Sequence, residues 1–483
     1  MADTLHRRRF DKKANDIYTY EEPDALMDDS DAILRMVQNH HDIQRPRLEV
    51  LDDYYKGDNV TILKESHRRR DKDKSDHRAT HNFAKYVSQF IQGYLAGKGI
   101  TVQHRKKAVQ KKIDEVNELN EVNALNSELV LDSSIYGRAY ELVYRNEADE
   151  TKVVLSSPLN TFVIYDDTVE QKPIAGVRYR KIKRNNMDVL KVTLYTDEMQ
   201  LEFESEHSMV KLELKDMQDH YLGGVPIVEY SNNRQRLGDY ENVLNLIDLY
   251  DEAQSDIANY MTDLNDALLA VIGDADMTVD EAKKMKDANM ILVKPGTTPD
   301  GKAGQVDVKY IYKQYDVAGV ESYKDRLERD IHKFTNTPDL TYAGGKKSSD
   351  AESGEAIKEK LFGLEQVRAT KERLFKRGLR TRYRLCGNVM RVASELTENI
   401  SKLEIQFKPN LPRSLKQEIE NFLALGGELP EELILTLIPS LVEDPEKIKK
   451  MLQEERKQRM QDYPNEDFTE KEKPSDTAGR DAQ

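Results

Sequence analysis

The chain has 483 residues, more than one ordinary domain holds, so two to four structural units are expected. Charged residues make up 34% and hydrophobic residues 38%; 24 Tyr and 11 Phe still supply real cores, which excludes global disorder. A net charge of −14 argues against a protein that grips nucleic acid by neutralising phosphates, and the single Cys excludes a disulfide framework or thiolate zinc cluster.

No apolar run approaches the ~20 residues of a membrane helix, and MADTLHRRRF has no apolar stretch behind it, so neither a membrane span nor a secretory leader is expected. Residues 1–29 are mixed in charge and weakly apolar, a flexible arm. Ile33, Leu34 and Val37, then Ile43, Leu48 and Leu51, fit two helices broken near Pro46, the second closed by a left-handed cap at Gly57. Residues 64–78 form a basic, solvated loop. NFAKYVSQFIQGYL (82–95) is an amphipathic helix, and a polar-rich helix is predicted over 108–136, stopped near Gly137. From Tyr140 to Val228 the period switches to two, the mark of an antiparallel sheet.

After Gly238 the character changes. Asp239 can cap a helix running to Val271, about 50 Å at 1.5 Å per residue. A compact insertion follows: a helix at 278–288, the strand NMILVK, a turn, and the strand VDVKYIY. Asp316–Phe334 is a second long helix and residues 341–354 a Gly/Ser-rich loop. A third helix from Glu355 to about Leu396 has Gly363, Gly378 and Gly387 as candidate bends. Residues 413–460 are helical, and the acidic tail from Asp462 is too poor in apolar residues to fold. The fold class is therefore α+β, mostly helical.

No active site emerges. Gly344-Gly345-Lys346-Lys347-Ser348 is not a phosphate loop, because Leu340 stands where the motif needs Gly and Lys347 where it needs Ser or Thr. His77 and His81 have helical spacing but no third ligand. The pairs Asp52-Asp53 and Asp166-Asp167 lack a partner constellation. Cys386 sits among apolar neighbours as a structural thiol. The chain is read as a non-enzyme with no cofactor or metal.

One asymmetry remains. From Leu237 to Ala282 there is no Lys or Arg, yet Asp239, Glu241, Asp248, Asp251, Glu252, Asp256, Asp263 and Asp266 are all acidic. The third helix is the reverse, with Arg368, Lys371, Arg373, Lys376, Arg377, Arg380, Arg382, Arg384 and Arg391 among its cations. Pairing between the two helices is one explanation. An unneutralised acidic run that resists adhesion of a polyanion is the other.

Four blocks in order then stand out: Leu51-x-x-Tyr54-Tyr55-x-Gly57; Asn82-Phe83-Ala84-Lys85-Tyr86 with Gly93-Tyr94-Leu95-x-Gly97-Lys98; Tyr136-Gly137-x-Ala139-Tyr140-Glu141; and Pro226-Ile227-Val228-Glu229-Tyr230-x-Asn232-Asn233 with Asp239-Tyr240-Glu241 and Ile247-Asp248-x-Tyr250-Asp251. With the order of elements, over residues 30–410, the chain resembles the portal proteins of tailed bacteriophages, the family of siphophages of Gram-positive hosts.

That resemblance implies a ring, usually a dodecamer, at one capsid vertex, admitting double-stranded DNA at packaging and releasing it at ejection. It implies a wing (30–238), a stem helix (239–271), a clip (272–315), a second stem helix (316–340), a tunnel loop (341–354), a long wing helix (355–403), a crown (404–460) and an acidic tail (461–483). Implied partners are further copies of the chain, the terminase large subunit, the head–tail adaptor, and capsid and scaffolding proteins, with location in the virion. The expected residues are Lys346, Lys347, Ser348 and Ser349 on the tunnel loop, Asp248, Glu252, Asp256 and Asp263 on an acidic stem wall, and Lys294, Lys302 and Lys309 at clip contacts. The alternatives are a metal-dependent DNA-processing enzyme, whose carboxylates would converge from separate strands, and a coiled-coil scaffold, for which a β-rich middle is superfluous.

Overall fold

A computed structural model describes residues 9–64, 74–184, 187–206, 211–263, 268–272, 280, 284, 290–292, 307–311, 316–339, 361–408 and 410. They belong to one compact unit, Met1–Ala351 with Ala356–Asn410; a second unit, Glu352–Glu355 with Leu411–Gln483, lies outside the described residues. The expected tunnel loop, the tail and nearly all of the expected crown fall outside them too.

Residues 9–29 of the expected arm are built into the fold. Strand β1 (Tyr18–Tyr20) adds in parallel to a strand 140 residues later, and Asp29 accepts a hydrogen bond from Ala32 N (2.8 Å) to cap α1 (Ser30–Asn39). A π-helical turn at 40–44 replaces the expected break, so the chain passes helically into α2 (Arg45–Lys56). Gly57, at φ 92°, ends α2 as expected. Helix α3 (Phe83–Ala96) follows, capped by Asn82 Oδ1, which accepts from Lys85 N at 3.0 Å. After β2 (Ile100–Gln103), the single helix expected over 108–136 is two, α4 (Lys107–Leu119) and α5 (Val122–Tyr136). Asn120 explains the break. Its side chain donates to Val116 O (2.9 Å) and Thr151 O (3.0 Å) and accepts from Val153 N (2.9 Å), while Glu121 turns left-handed at φ 46°.

The alternating runs form two sheets rather than one. Strands β3 (Arg138–Arg145), β4 (Thr151–Ser156) and β10 (Ile227–Ser231) make a three-stranded sheet in the order β10-β3-β4. The six-stranded sheet, in the order β1-β5-β6-β7-β8-β9, is a meander of β5 (Thr161–Asp166), β6 (Pro173–Arg184), β7 (Met187–Tyr195), β8 (Met199–Glu206) and β9 (Glu213–Asp219). Its inward residues, among them Phe162, Val177, Leu190, Val192 and Phe203, pack on Ile33, Leu34 and Val37 of α1.

Helix α6 (Leu244–Asp263) begins after a 3₁₀ turn and ends before the expected Val271. LLAVI at 268–272 is strand β11, the centre of a small sheet, parallel to β12 (Met290–Leu292) and antiparallel to β13 (Asp307–Ile311). Leu268 and Val271 do satisfy helical spacing, but a short continuous apolar run reads equally as a central strand. Of the expected short helix at 278–288, the described Asp280 and Lys284 are helical. Helix α7 (Val317–Thr335) packs along α6, capped by Asp316 (Gly319 N to Oδ1, 2.9 Å) and ended by left-handed Asn336.

Helix α8 (Phe362–Val392) is continuous through Gly378 and Gly387. Both glycines permit close packing. A Cβ at Gly378 would stand 2.4 Å from the Tyr230 ring, and one at Gly387 2.8 Å from Ile400. Phe375, Leu379, Tyr383, Cys386 and Val389 of α8 pack into a core with Leu129 and Val130 of α5, Ala139 and Val143 of β3, and Tyr230. Strand β14 (Glu404–Phe407) then pairs with β2. One buried ion pair ties helix to sheet. Arg382 Nε donates to both oxygens of Glu141 (3.0 and 2.9 Å) and Nη1 to Asn126 (2.8 Å), while Tyr230 OH donates to Glu141 (2.8 Å). Burial by itself lowers the Arg382 pKa; Glu141 and Tyr230 outweigh it and raise it.

Candidate channel wall and the junction that holds it

The four sequence blocks meet at one junction around the start of α6. Asn82 Nδ2 donates to Tyr55 O (3.1 Å) and fills the space beside Gly57, where a Cβ would lie 3.1 Å away. Gly137 sits at φ 84° with Arg236 O only 2.1 Å from where a Cβ would be, so only glycine fits there. Asn232 N donates to Gly137 O (3.0 Å) and Asp239 N to Ser134 O (2.8 Å). Tyrosine hydroxyls and one ion pair close the node: Tyr136 to Asp52 (3.1 Å), Tyr240 to Leu51 O (2.6 Å), and Arg47 to Glu241 (2.5 Å). Asp239 does not cap the helix. Its carboxylate accepts from Lys371 Nζ (2.8 Å) and Asn232 Nδ2 (2.9 Å), so the segment leading into the acidic helix pairs with the basic one here.

From this junction α6 presents two different polar faces. Asp248, Asp251, Ser255 and Asn259, at spacings of three and four, are buried. They hold the chain segment that leads into α3. Asp251 accepts from His81 N and His81 Nδ1 (both 2.9 Å) and from Asn59. Ser255 Oγ accepts from Ala79 N (2.9 Å) and Asn259 Oδ1 from His77 N (2.8 Å), while Thr262 Oγ1 meets His77 Nε2 at 2.9 Å. Asp248 binds Arg9 and the Tyr54 hydroxyl. Burial and Asp248 both raise the Tyr54 pKa, and the Arg9 pKa also rises because Tyr54 and Asp248 outweigh burial. The two histidines singled out by their spacing are thus anchors of an extended segment.

Of the residues expected on the acidic wall, Asp248 is buried and paired with the side chains of Arg9 and Tyr54. Glu252, one turn beyond Asp248, is half-buried at the edge of this docking face, and Asp256 is exposed; nothing is described of the Asp263 side chain. On α7, Glu321 and Asp325 are exposed and Glu328 half-buried. Their charge reaches α6: burial first, then Glu328, Glu321, Asp325 and Asp251, raise the Tyr250 pKa. Glu328, His332 and Asp339 bring donor atoms within 4.8 Å of one another at the end of α7. Lys309 lies in β13 opposite Ala270. Lys294, Lys302, Lys346, Lys347, Ser348 and Ser349 lie outside the described residues.

Sequence reasoning missed Asp251, Ser255 and Asn259 as anchors. The signal was present as small polar residues recurring every four positions, but acidic composition alone does not separate a docking face from a solvated one.

The profile of the family described as phage portal protein, SPP1 Gp6-like, matches residues 34–462. The chain belongs to that family. The match extends past the 30–410 stretch that carries the four blocks. The portal protein of Bacillus phage SPP1 is 23% identical over 412 residues, covering 80% of this chain and 78% of that one. Two solved structures are also similar over 78% of this chain and 98% of theirs. One is the neck of an empty gene transfer agent particle computed with C6 symmetry (TM-score 0.42, 11% identity); the other is the virion of a native gene transfer agent particle (TM-score 0.38, 12% identity). No helix among the described residues is long and apolar enough to cross a membrane. The expectation of a portal protein is met.

Proposed function

We propose that copies of this chain close into a ring, a dodecamer, at one vertex of a phage capsid, and that double-stranded DNA passes through its bore at packaging and ejection. The chain acts as a conduit and docking platform, with the energy of packaging supplied by a separate terminase ATPase. The family match over residues 34–462 carries this reading. In it, α6 and α7 are stem helices, the β11–β13 sheet belongs to the clip, α8 is the long wing helix, and residues 341–354 form a loop that touches DNA.

The exposed carboxylates support the bore. A wall that must pass kilobases of duplex cannot hold phosphate, since each ring of free cations would be a trap. Half-buried Glu252 and exposed Asp256 on α6, with exposed Glu321 and Asp325 on α7, are the groups assigned to it. Strands β12 and β13 are the two outer strands of their sheet, and pairing between copies would remove such edges while closing a heterologous ring. Terminase and the head–tail adaptor are assigned to the clip, with Lys294, Lys302 and Lys309 as contacts. Electron microscopy of the purified protein tests the whole: rings with a central hole are expected, and monomers alone at every concentration would overturn it.

A further inference from the structure

The cations of α8 divide into two groups. Arg368 pairs with Glu365 and Glu372, Lys371 with Asp239, Lys376 with Glu372, and Arg382 with Glu141. Arg373, Arg377, Arg380, Arg384 and Arg391 are all exposed, and among the described residues none has a carboxylate partner. Arg373 donates to Ala369 O (3.0 Å) and Thr370 Oγ1 (3.4 Å), and Arg391 to Asn388 Oδ1 (3.0 Å), all neutral acceptors. Spacings of four, three, four and seven put the five on one helix face, along about 27 Å of axis. Between Glu372 and Glu395 the sequence contains no Asp or Glu.

Such a row repels itself, so its natural complement is an extended polyanion. We propose that this face binds the phosphate backbone of duplex DNA, at a surface separate from the bore. The inference rests on the reading that the assembly handles duplex DNA. Three features favour DNA over a second copy of the chain. Between Arg373 and Arg391 the face offers no apolar anchor, and the exposed Phe362 and Val392 lie beyond its two ends, whereas protein interfaces centre on buried aromatic or aliphatic residues. All five exposed cations are Arg, whose planar fork matches phosphate oxygens two at a time. About 27 Å of helix spans roughly eight base pairs at 3.4 Å each. The net charge of −14 is no obstacle, because fields are screened within about 8–10 Å, well short of the length of the row. Five unneutralised guanidinia per copy would stall DNA inside a bore, which places the face outside it.

The test uses the full-length protein and a fluorescent, covalently closed duplex circle, which has no end to enter a channel. With five phosphate contacts, affinity should fall about 500-fold between 50 and 200 mM salt, from a slope of roughly −0.9 per contact. In the triple variant Arg377→Gln, Arg380→Gln, Arg384→Gln the fall should be only about 12-fold. The matching triple Arg→Lys variant should keep the steep slope, which separates loss of charge from loss of fold. Failure of the wild type to bind the circle at 50 mM salt, or an unchanged slope in the Gln variant, overturns the proposal. So does a Gln variant that no longer self-associates, which would assign the face to carboxylates of another copy. The ring reading fails separately, by absence of wild-type rings whatever the DNA result.

Discussion

Asp251 and Asp256 lie five positions apart on the same helix, and their replacement separates docking carboxylates from wall carboxylates. In Asp251→Ala, the buried Asn59 amide and the His81 backbone N–H lose their acceptor. Each orphaned buried donor costs about 1–3 kcal/mol, so the substitution should cost about 2–6 kcal/mol. Asp256 is exposed, and Asp256→Ala should stay within about 0.5 kcal/mol. Hydrogen exchange resolves the location as well as the size: residues 76–83 should exchange faster by a factor of about 30 or more in Asp251→Ala, since each 1.4 kcal/mol is tenfold. Thermal denaturation of the same variants gives the direction independently. Equal protection of residues 76–83 in both variants would refute the division of α6 into two faces.

Three further outcomes follow from the same geometry. Replacing Glu252 and Asp256 together with Lys should leave ring formation intact and slow DNA packaging in an in vitro reaction; packaging at the normal rate would show that these groups do not face the bore. Shortening residues 343–353 should preserve assembly but reduce packaged genome length. Asp132 is half-buried, and burial with the nearby Glu128 and Asp52 raises its pKa to about 7. A carboxyl group with a raised folded pKa favours the folded state at low pH, and that contribution is lost as pH rises from the unfolded value of ~4 toward 7. Asp132→Asn should therefore match the wild type near pH 4 and exceed it at pH 8 by on the order of 4 kcal/mol, measured by chemical denaturation; a pH-independent difference would refute the assignment.

Much of the fold was legible because it depends on short-range signals. Gly57 as a left-handed cap, Asn82 before an amphipathic helix, and period-two runs from Tyr140 onward each declare themselves within a few residues. What escaped depended on distant partners. Residues 9–29 look like an arm until β1 finds β5 and Arg9 finds Asp248. Asn120 breaks a helix because Thr151 and Val153 lie beside it, and LLAVI becomes a strand because β13 pairs with it. The candidate wall was only half legible for the same reason. The acidic composition of α6 is plain in the sequence, but which carboxylates turn inward is decided by the segment 76–82, whose docking no periodicity encodes.

The division of charge on α6 and α8 has a common logic. If α6 lines the bore as proposed, it still needs to be fixed to its own protomer, and carboxylates can do this by accepting from backbone N–H, Asn and His as well as by pairing with Arg. Asp251 accepts from His81 and Asn59, Ser255 and Asn259 accept from neighbouring backbone, and Asp248, at the junction end, takes Arg9. On α8 the buried or partly buried cations, Arg382, Lys371 and Arg368, are each matched to carboxylates. Among the described residues the five exposed arginines have no such carboxylate, and their gathering on one face is what the proposed phosphate contact answers.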